Sequence, residues 1–120
     1  MLSLDILHHL QALEENGILV IVEGREDKRA LQHFGLSSIL VFYTKPFYKI
    51  METIQEQEEI AILTDLDQQG RKLYMKIKDE CSRKGIRINN ELRHFLFRET
   101  SLRHIEGLPR FVQRLGMKGK

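Results

Sequence analysis

Three apolar runs constrain this chain more than anything else in it: ILVIV at 18–22, SILVFY at 38–43 and EIAILT at 59–64. None alternates polar with apolar residues, as a strand with one wet face does. Unbroken runs rich in β-branched and aliphatic residues are what strands buried on both faces look like. The segments between the runs carry apolar residues at helical spacing instead. Strands that alternate with helices are joined by crossovers, so the pattern predicts a parallel α/β sheet with helices on both faces.

The helices can be read one by one. Ser3 is the expected cap of a first helix over 4–15, with Leu4, Ile6, Leu7, Leu10 and Leu13 on its apolar side. Asn16-Gly17 should end it. REDKRALQHFG places Ala30, Leu31 and Phe34 at helical spacing before Gly35. Pro46 is the expected first residue of the next helix, with Phe47, Ile50, Met51 and Ile54 as its stripe. A long helix is predicted from Gly70 to about Lys84, presenting Leu73, Ile77 and Cys81, and Gly85 should stop it. IRI at 86–88 reads as a short fourth strand. Asn89 or Asn90 then caps a helix bearing Leu92, Phe95 and Leu96, and a last helix spans about 107–115. The expected sheet has about four strands in the order 2-1-3-4, within a single domain over 1–120.

Composition narrows the function classes. With 42% apolar and 30% charged residues, this is the make-up of an ordinary globular protein. No apolar run is long enough to span a membrane. The start, MLSLDILHHL, lacks the basic region of a signal peptide. One cysteine, Cys81, excludes an intramolecular disulfide and a thiolate zinc site. Cytoplasmic localisation is the expectation. The charge is uneven: residues 1–85 hold 11 Lys/Arg against 14 Asp/Glu, residues 86–120 hold 8 against 3. A basic C-terminal third suits contact with nucleic-acid phosphates, although on charge alone a solvated helical surface is the favoured reading.

The chemistry concentrates at strand ends. Open parallel sheets bind ligands at the carboxyl ends of their strands, beside the point where strand order reverses. Glu23 closes the first strand; Asp65 and Asp67 lie at and just beyond the end of the third. With strands one and three adjacent, the three carboxylates converge. Clustered like charges are costly without a cation, and a set of carboxylates suits Mg²⁺, which completes its shell with water and phosphate oxygens. An N-terminal cap for the following helix accounts for one aspartate of the pair but not for two with Glu23 opposite. Gly24 allows a sharp turn or a close phosphate approach, Gly70 a tight loop before a helix, and Asp27 either a helix cap or a ligand-orienting role.

VIVEGREDKRAL (20–31) together with ILTDLDQQGRKL (62–73) resembles the toprim domain shared by topoisomerases, bacterial primases and several nucleases. Glu23, Gly24 and Asp27 match its first motif; Asp65, Asp67 and Gly70 match its second. The resemblance covers about 18–85 and is closest to short toprim proteins and to the toprim part of the 5S-rRNA maturase ribonuclease. It implies a three-layer Rossmann-like fold. It implies Mg²⁺, with Mn²⁺ as a substitute, on Asp65 and Asp67, with Glu23 either a third ligand or the general acid or base. The implied function is metal-dependent phosphodiester chemistry, most simply a nuclease acting on structured RNA or DNA. The alternative is a non-catalytic nucleic-acid-binding module within a larger complex. A homodimer or a nucleoprotein complex is the expected assembly, with no membrane partner. The basic helical tail, 86–120, departs from the core pattern.

Arg25, Lys28, Arg71 and Lys72 flank the expected site and suit phosphates, or simply solvated helix ends. Two cations at a helix start oppose its dipole, which favours the ligand role for Arg71 and Lys72. Arg93, Arg98, Arg103, Arg110 and Arg114 would extend a binding face or cover helix surfaces. Tyr43, Tyr48 and Tyr74 are expected to pack, the five histidines to lie at or near the surface without metal-ligand spacing, and Cys81 to face the core. A phosphotransfer receiver or a haloacid-dehalogenase-type phosphatase fits poorly: the first needs an acidic pair after strand one, the second its Asp-x-Asp there.

Overall fold

In the computed structural model, which describes residues 1–118 and side chains to residue 116, helices and strands alternate after a leading helix. The order is α1 (Leu2–Glu15), β1 (Leu19–Val22), α2 (Arg25–Gln32), β2 (Ile39–Val41), α3 (Phe47–Gln55), β3 (Glu59–Ile62), α4 (Gln68–Lys84), β4 (Arg87–Asn89), α5 (Glu91–Glu99) and α6 (Leu108–Lys118). Residues 119–120 of the basic tail lie outside the described residues. Four parallel strands stand in the order β2-β1-β3-β4, with Val20 beside Ile39 and Ala61 in the central pairings. The expected order holds.

The unbroken apolar runs are explained by two cores. Val20 and Val22 of β1, with Ala61 and Leu63, point into a cluster closed by α1, α2, α5 and α6. Ile21, with Ile60 and Ile62, points the other way, into a cluster closed by α3 and α4. Every residue of β1 past Leu19 is therefore buried, whichever face it takes. Burying a Val or Ile side chain contributes about 1.5–3 kcal/mol, so a polar residue on either face would be costly. The C-terminal helices share the first core through Leu92, Leu96, Ile105 and Leu108.

Some boundaries differ from expectation, each for a local reason. Helix α1 starts at Leu2 with Met1 as its cap, and Ser3 is buried in the first turn instead of capping. Pro46 sits at the cap of α3, one position before the helix. β2 stops at Val41 because Phe42–Thr44 wind into a 3-10 turn, closed by Thr44 Oγ1 donating to the Val41 carbonyl. β3 stops at Ile62, although Leu63 N–H still reaches the Ile21 carbonyl; beyond it the Thr64 and Asp65 carbonyls accept from the Arg93 guanidinium instead. α4 begins at Gln68, capped by Asp67.

Candidate metal centre at the strand ends

The strand order reverses between β1 and β3, so their carboxyl ends border the crevice where such sheets take ligands. Three local devices shape that crevice. Gly24 is the extended cap residue of α2, and its N–H donates to Asp27 Oδ2 at 3.0 Å. Asp27 thus reaches back to hold the turn after Glu23. The turn at Gly24 does not require glycine: its φ of −131° is open to any residue, and a side chain there would meet only Asp27 Oδ2 at 3.9 Å. Gly70 is the opposite case. A Cβ there would overlap the Asp65 carbonyl and lie 2.8 Å from the Asp65 Cα, so the start of α4 presses on the end of β3 as only glycine allows. The buried Thr64 hydroxyl donates to the Gly70 carbonyl at 2.7 Å and fastens the same junction.

Each aspartate is held by one oxygen. Asp67 Oδ1 accepts the Gly70 N–H at 2.8 Å, capping α4, while Asp65 Oδ1 accepts the Ile105 N–H at 2.9 Å. Their second oxygens both face His104: Nδ1 lies 3.3 Å from Asp65 Oδ2 and 3.8 Å from Asp67 Oδ2. One ligand atom from each of Asp65, Asp67 and His104 fits within 4.8 Å of the other two, close enough to hold one ion. Among the described residues Glu23 is outside that trio. Its Oε2 instead accepts the Asp65 N–H at 2.6 Å, which sets it directly beside the pair.

The electrostatics follow from crowding. Burial raises the Glu23 pKa, opposed by the Asp65 N–H and reinforced by the charges of Asp65, Asp27 and Asp67. Burial likewise raises Asp27. His104 is raised by its hydrogen bond to Asp65. The compensating cation is Arg93, expected on a binding face or a helix surface but only 5% exposed. Its guanidinium donates to the carbonyls of Thr64 at 2.7 Å, Asp65 at 3.1 Å and Ile62 at 3.4 Å, and stacks 4.5 Å from the Tyr74 ring centroid. Burial lowers its pKa to about 10, and the nearby Glu23 and Asp65 charges oppose that fall, so it stays charged beneath the acids.

The other predicted residues separate. Arg25 and Lys28 line a groove of about 450 Å³ beside β2. Arg71 and Lys72 line one of about 710 Å³ between α4 and α5. Of the tyrosines only Tyr74 is buried; Tyr43, edge-on to Phe42, and Tyr48 are 65% and 62% exposed, against expectation. Cys81 is buried, with its thiol pKa raised by burial. No helix among the described residues is long and apolar enough to cross a membrane.

The Toprim domain model matches residues 18–92. The chain belongs to the Toprim family. It is 30% identical to a UPF0292 protein of Methanocaldococcus jannaschii over 92% of this chain and 90% of that one. To a UPF0292 protein of Methanosarcina barkeri it is 28% identical, over 95% of this chain and 82% of the relative. A solved structure, described as a putative protein from Aquifex aeolicus, superposes with a TM-score of 0.77 at 25% identity, covering 85% of this chain and 94% of the other. The Toprim fold carries with it a metal-dependent, nucleic-acid-related function, and the acidic group at its strand ends has the donor set for a divalent cation.

His104 was not legible as part of the site. It stands 39 residues from Asp65, past the family match, and no spacing marks it. Backbone pairing brings it in: Leu66 N–H donates to the Arg103 carbonyl at 2.8 Å, and Ile105 N–H to Asp65. The residue between those two anchors is turned toward the carboxylates.

Proposed function

We propose that this protein is a divalent-metal-dependent phosphodiesterase acting on nucleic acid, most simply a nuclease for structured RNA or DNA. The observation that carries the reading is the pair of aspartates with one oxygen each tied to a backbone N–H and the other turned toward a common point shared with His104. Such pinning fixes the ligands before a cation arrives. Asp65 and Asp67 are the proposed ligands of Mg²⁺, with Mn²⁺ as the substitute that an added imidazole favours. His104 is the proposed third ligand.

A bound cation would neutralise charge developing on the phosphate. Glu23 then has a separate task. Held beside the pair by the Asp65 N–H, its carboxyl is placed to pass a proton to the departing oxygen of the phosphodiester. Arg93 keeps the Thr64–Asp65 backbone in place under the developing charge. The second reading, a binding module without catalysis, draws on the structural tasks that both aspartates already perform as hydrogen-bond acceptors.

Cleavage of labelled single-stranded, duplex and hairpin RNA and DNA, with Mg²⁺, Mn²⁺ or EDTA, decides between them. Asp67→Asn keeps a good helix cap but loses the ligand charge; Glu23→Gln keeps the acceptor for Asp65 N–H but holds no transferable proton. Metal-dependent cleavage lost in both variants is the expected result. Folded variants that cleave like wild type would end the catalytic reading. Glu23→Gln should also melt higher than wild type without metal at neutral pH. A raised carboxyl pKa means stability that falls as pH rises through it, and the amide is exempt from that loss.

A further inference from the structure

The groove between α4 and α5 adjoins the metal centre but contains none of its carboxylates. It is lined by Arg71, Lys72, Met75, Arg93, His94 and Phe97 among others, and none of its lining residues is acidic. Its inner wall includes Leu66 and Gln68, which flank Asp67 in the chain. Phe97 is 45% exposed there, on the helix that follows the strands. Two guanidiniums attend its ring, Arg103 at 4.8 Å and Arg71 at 5.5 Å from the centroid. Arg103 is oriented by donating to the carbonyls of Thr100 and Leu102. Neither arginine, nor Lys72, has a carboxylate partner among the described residues. The positive surface continues past Arg103 and His104 to Arg110 and Arg114, in a second groove of about 380 Å³ that also has no acidic lining.

An exposed aromatic ring set among uncompensated cations fits a ligand with flat π-faces joined by negative charges. We propose that this groove seats an unpaired nucleic-acid strand, one base extending the Phe97–arginine stack and the adjoining phosphates lying on Arg71, Lys72 and Arg103. A duplex cannot use the same site, because its bases are already stacked and offer only their edges. The strand would enter through α4–α5, pass His104 at the metal centre, and leave toward Arg110. The proposal deepens the phosphodiesterase reading by naming its substrate feature, a single-stranded segment beside the scissile bond.

The test is fluorescence anisotropy in EDTA, where nothing is cleaved. The probes are a labelled single-stranded oligonucleotide and a blunt duplex of the same sequence. Wild type should bind the single strand more tightly. Phe97→Ala should weaken that binding about tenfold, within the range for one stacked base, and leave the duplex unchanged; Phe97→Tyr should restore it. Arg71→Gln should lower the slope of log affinity against log salt by about 0.7, one phosphate contact fewer on a single strand. Thermal melting verifies that each variant is folded. Equal single-strand affinity of wild type and a folded Phe97→Ala would overturn the proposal, as would a duplex bound as tightly as the strand. Asp67→Asn separates the two readings. If it binds the strand like wild type while no metal-dependent cleavage is found for either protein, the groove stands and the catalytic reading falls. If wild type cleaves with metal but Phe97→Ala binds and cleaves equally well, the groove alone falls.

Discussion

The segment around β1 and β3 and the segment from α5 to Ile105 meet at one place and are built in contrasting ways. The first supplies carboxylates, and each is fastened by a backbone N–H: Glu23 by Asp65, Asp27 by Gly24, Asp65 by Ile105, Asp67 by Gly70. The second supplies their partners, the Arg93 guanidinium buried and held by carbonyls and the His104 ring exposed at the rim. Anions gathered on N–H donors and a cation gathered on C=O acceptors are complementary solutions to the same desolvation problem. The difference teaches that the acidic site is not self-sufficient within its two motifs: it is completed by a segment largely beyond the family match.

The comparison breaks most visibly at Gly70. Gly70→Ala should drive a methyl into the Asp65 backbone and cost about 3 kcal/mol or more, measured by urea unfolding, with loss of metal binding as well. A variant as stable as wild type would show that the close approach of α4 to β3 is not required.

Next comes the counter-charge. Arg93→Met retains length and apolar bulk but leaves the Thr64 and Asp65 carbonyls short of donors and the acids without their buried cation. The expected loss is about 2–4 kcal/mol, again by urea unfolding, and metal-dependent stabilisation should survive in weakened form. Unchanged stability would mean that the carbonyls find water and that Arg93 is dispensable.

The smallest effect belongs to His104, which is exposed. A histidine whose pKa is raised by Asp65 stabilises the fold fully below its unfolded value near 6.5 and loses that contribution as pH rises through the folded one. His104→Ala should remove this slight pH dependence from the melting of the metal-free protein and barely change stability itself. The same substitution should weaken Mn²⁺ binding, followed by calorimetry, more than Mg²⁺ binding. Identical Mn²⁺ titrations for variant and wild type would remove His104 from the ligand set and leave the centre to the carboxylates.

Much of this was legible from residues alone where the cause is local. A run such as ILVIV is buried on both faces because the residues themselves exclude water, whatever surrounds them. Glycine at 85 ends α4 with φ at +71°, as its lack of a side chain permits. Glu23, Asp65 and Asp67 sit at strand ends because charged residues that follow a buried strand have nowhere else to go. From those facts the parallel sheet and the acids at its strand ends could be read; that the acids share one crevice followed only once the strand order 2-1-3-4, an expectation that the fold bears out, put the first and third strands side by side. Only the tertiary structure decided which other groups face that crevice. Arg93 resembles the other arginines of the basic tail in sequence, yet it is buried, donating to three carbonyls at and just past the end of β3. His104 joins the aspartates through backbone bonds that cross some 40 residues of chain, and Phe97 stays exposed because α5 presents Leu92 and Leu96 to the core instead. Periodicity records which face of an element is apolar; it holds no record of what another element, arriving from far along the chain, will set against a polar end.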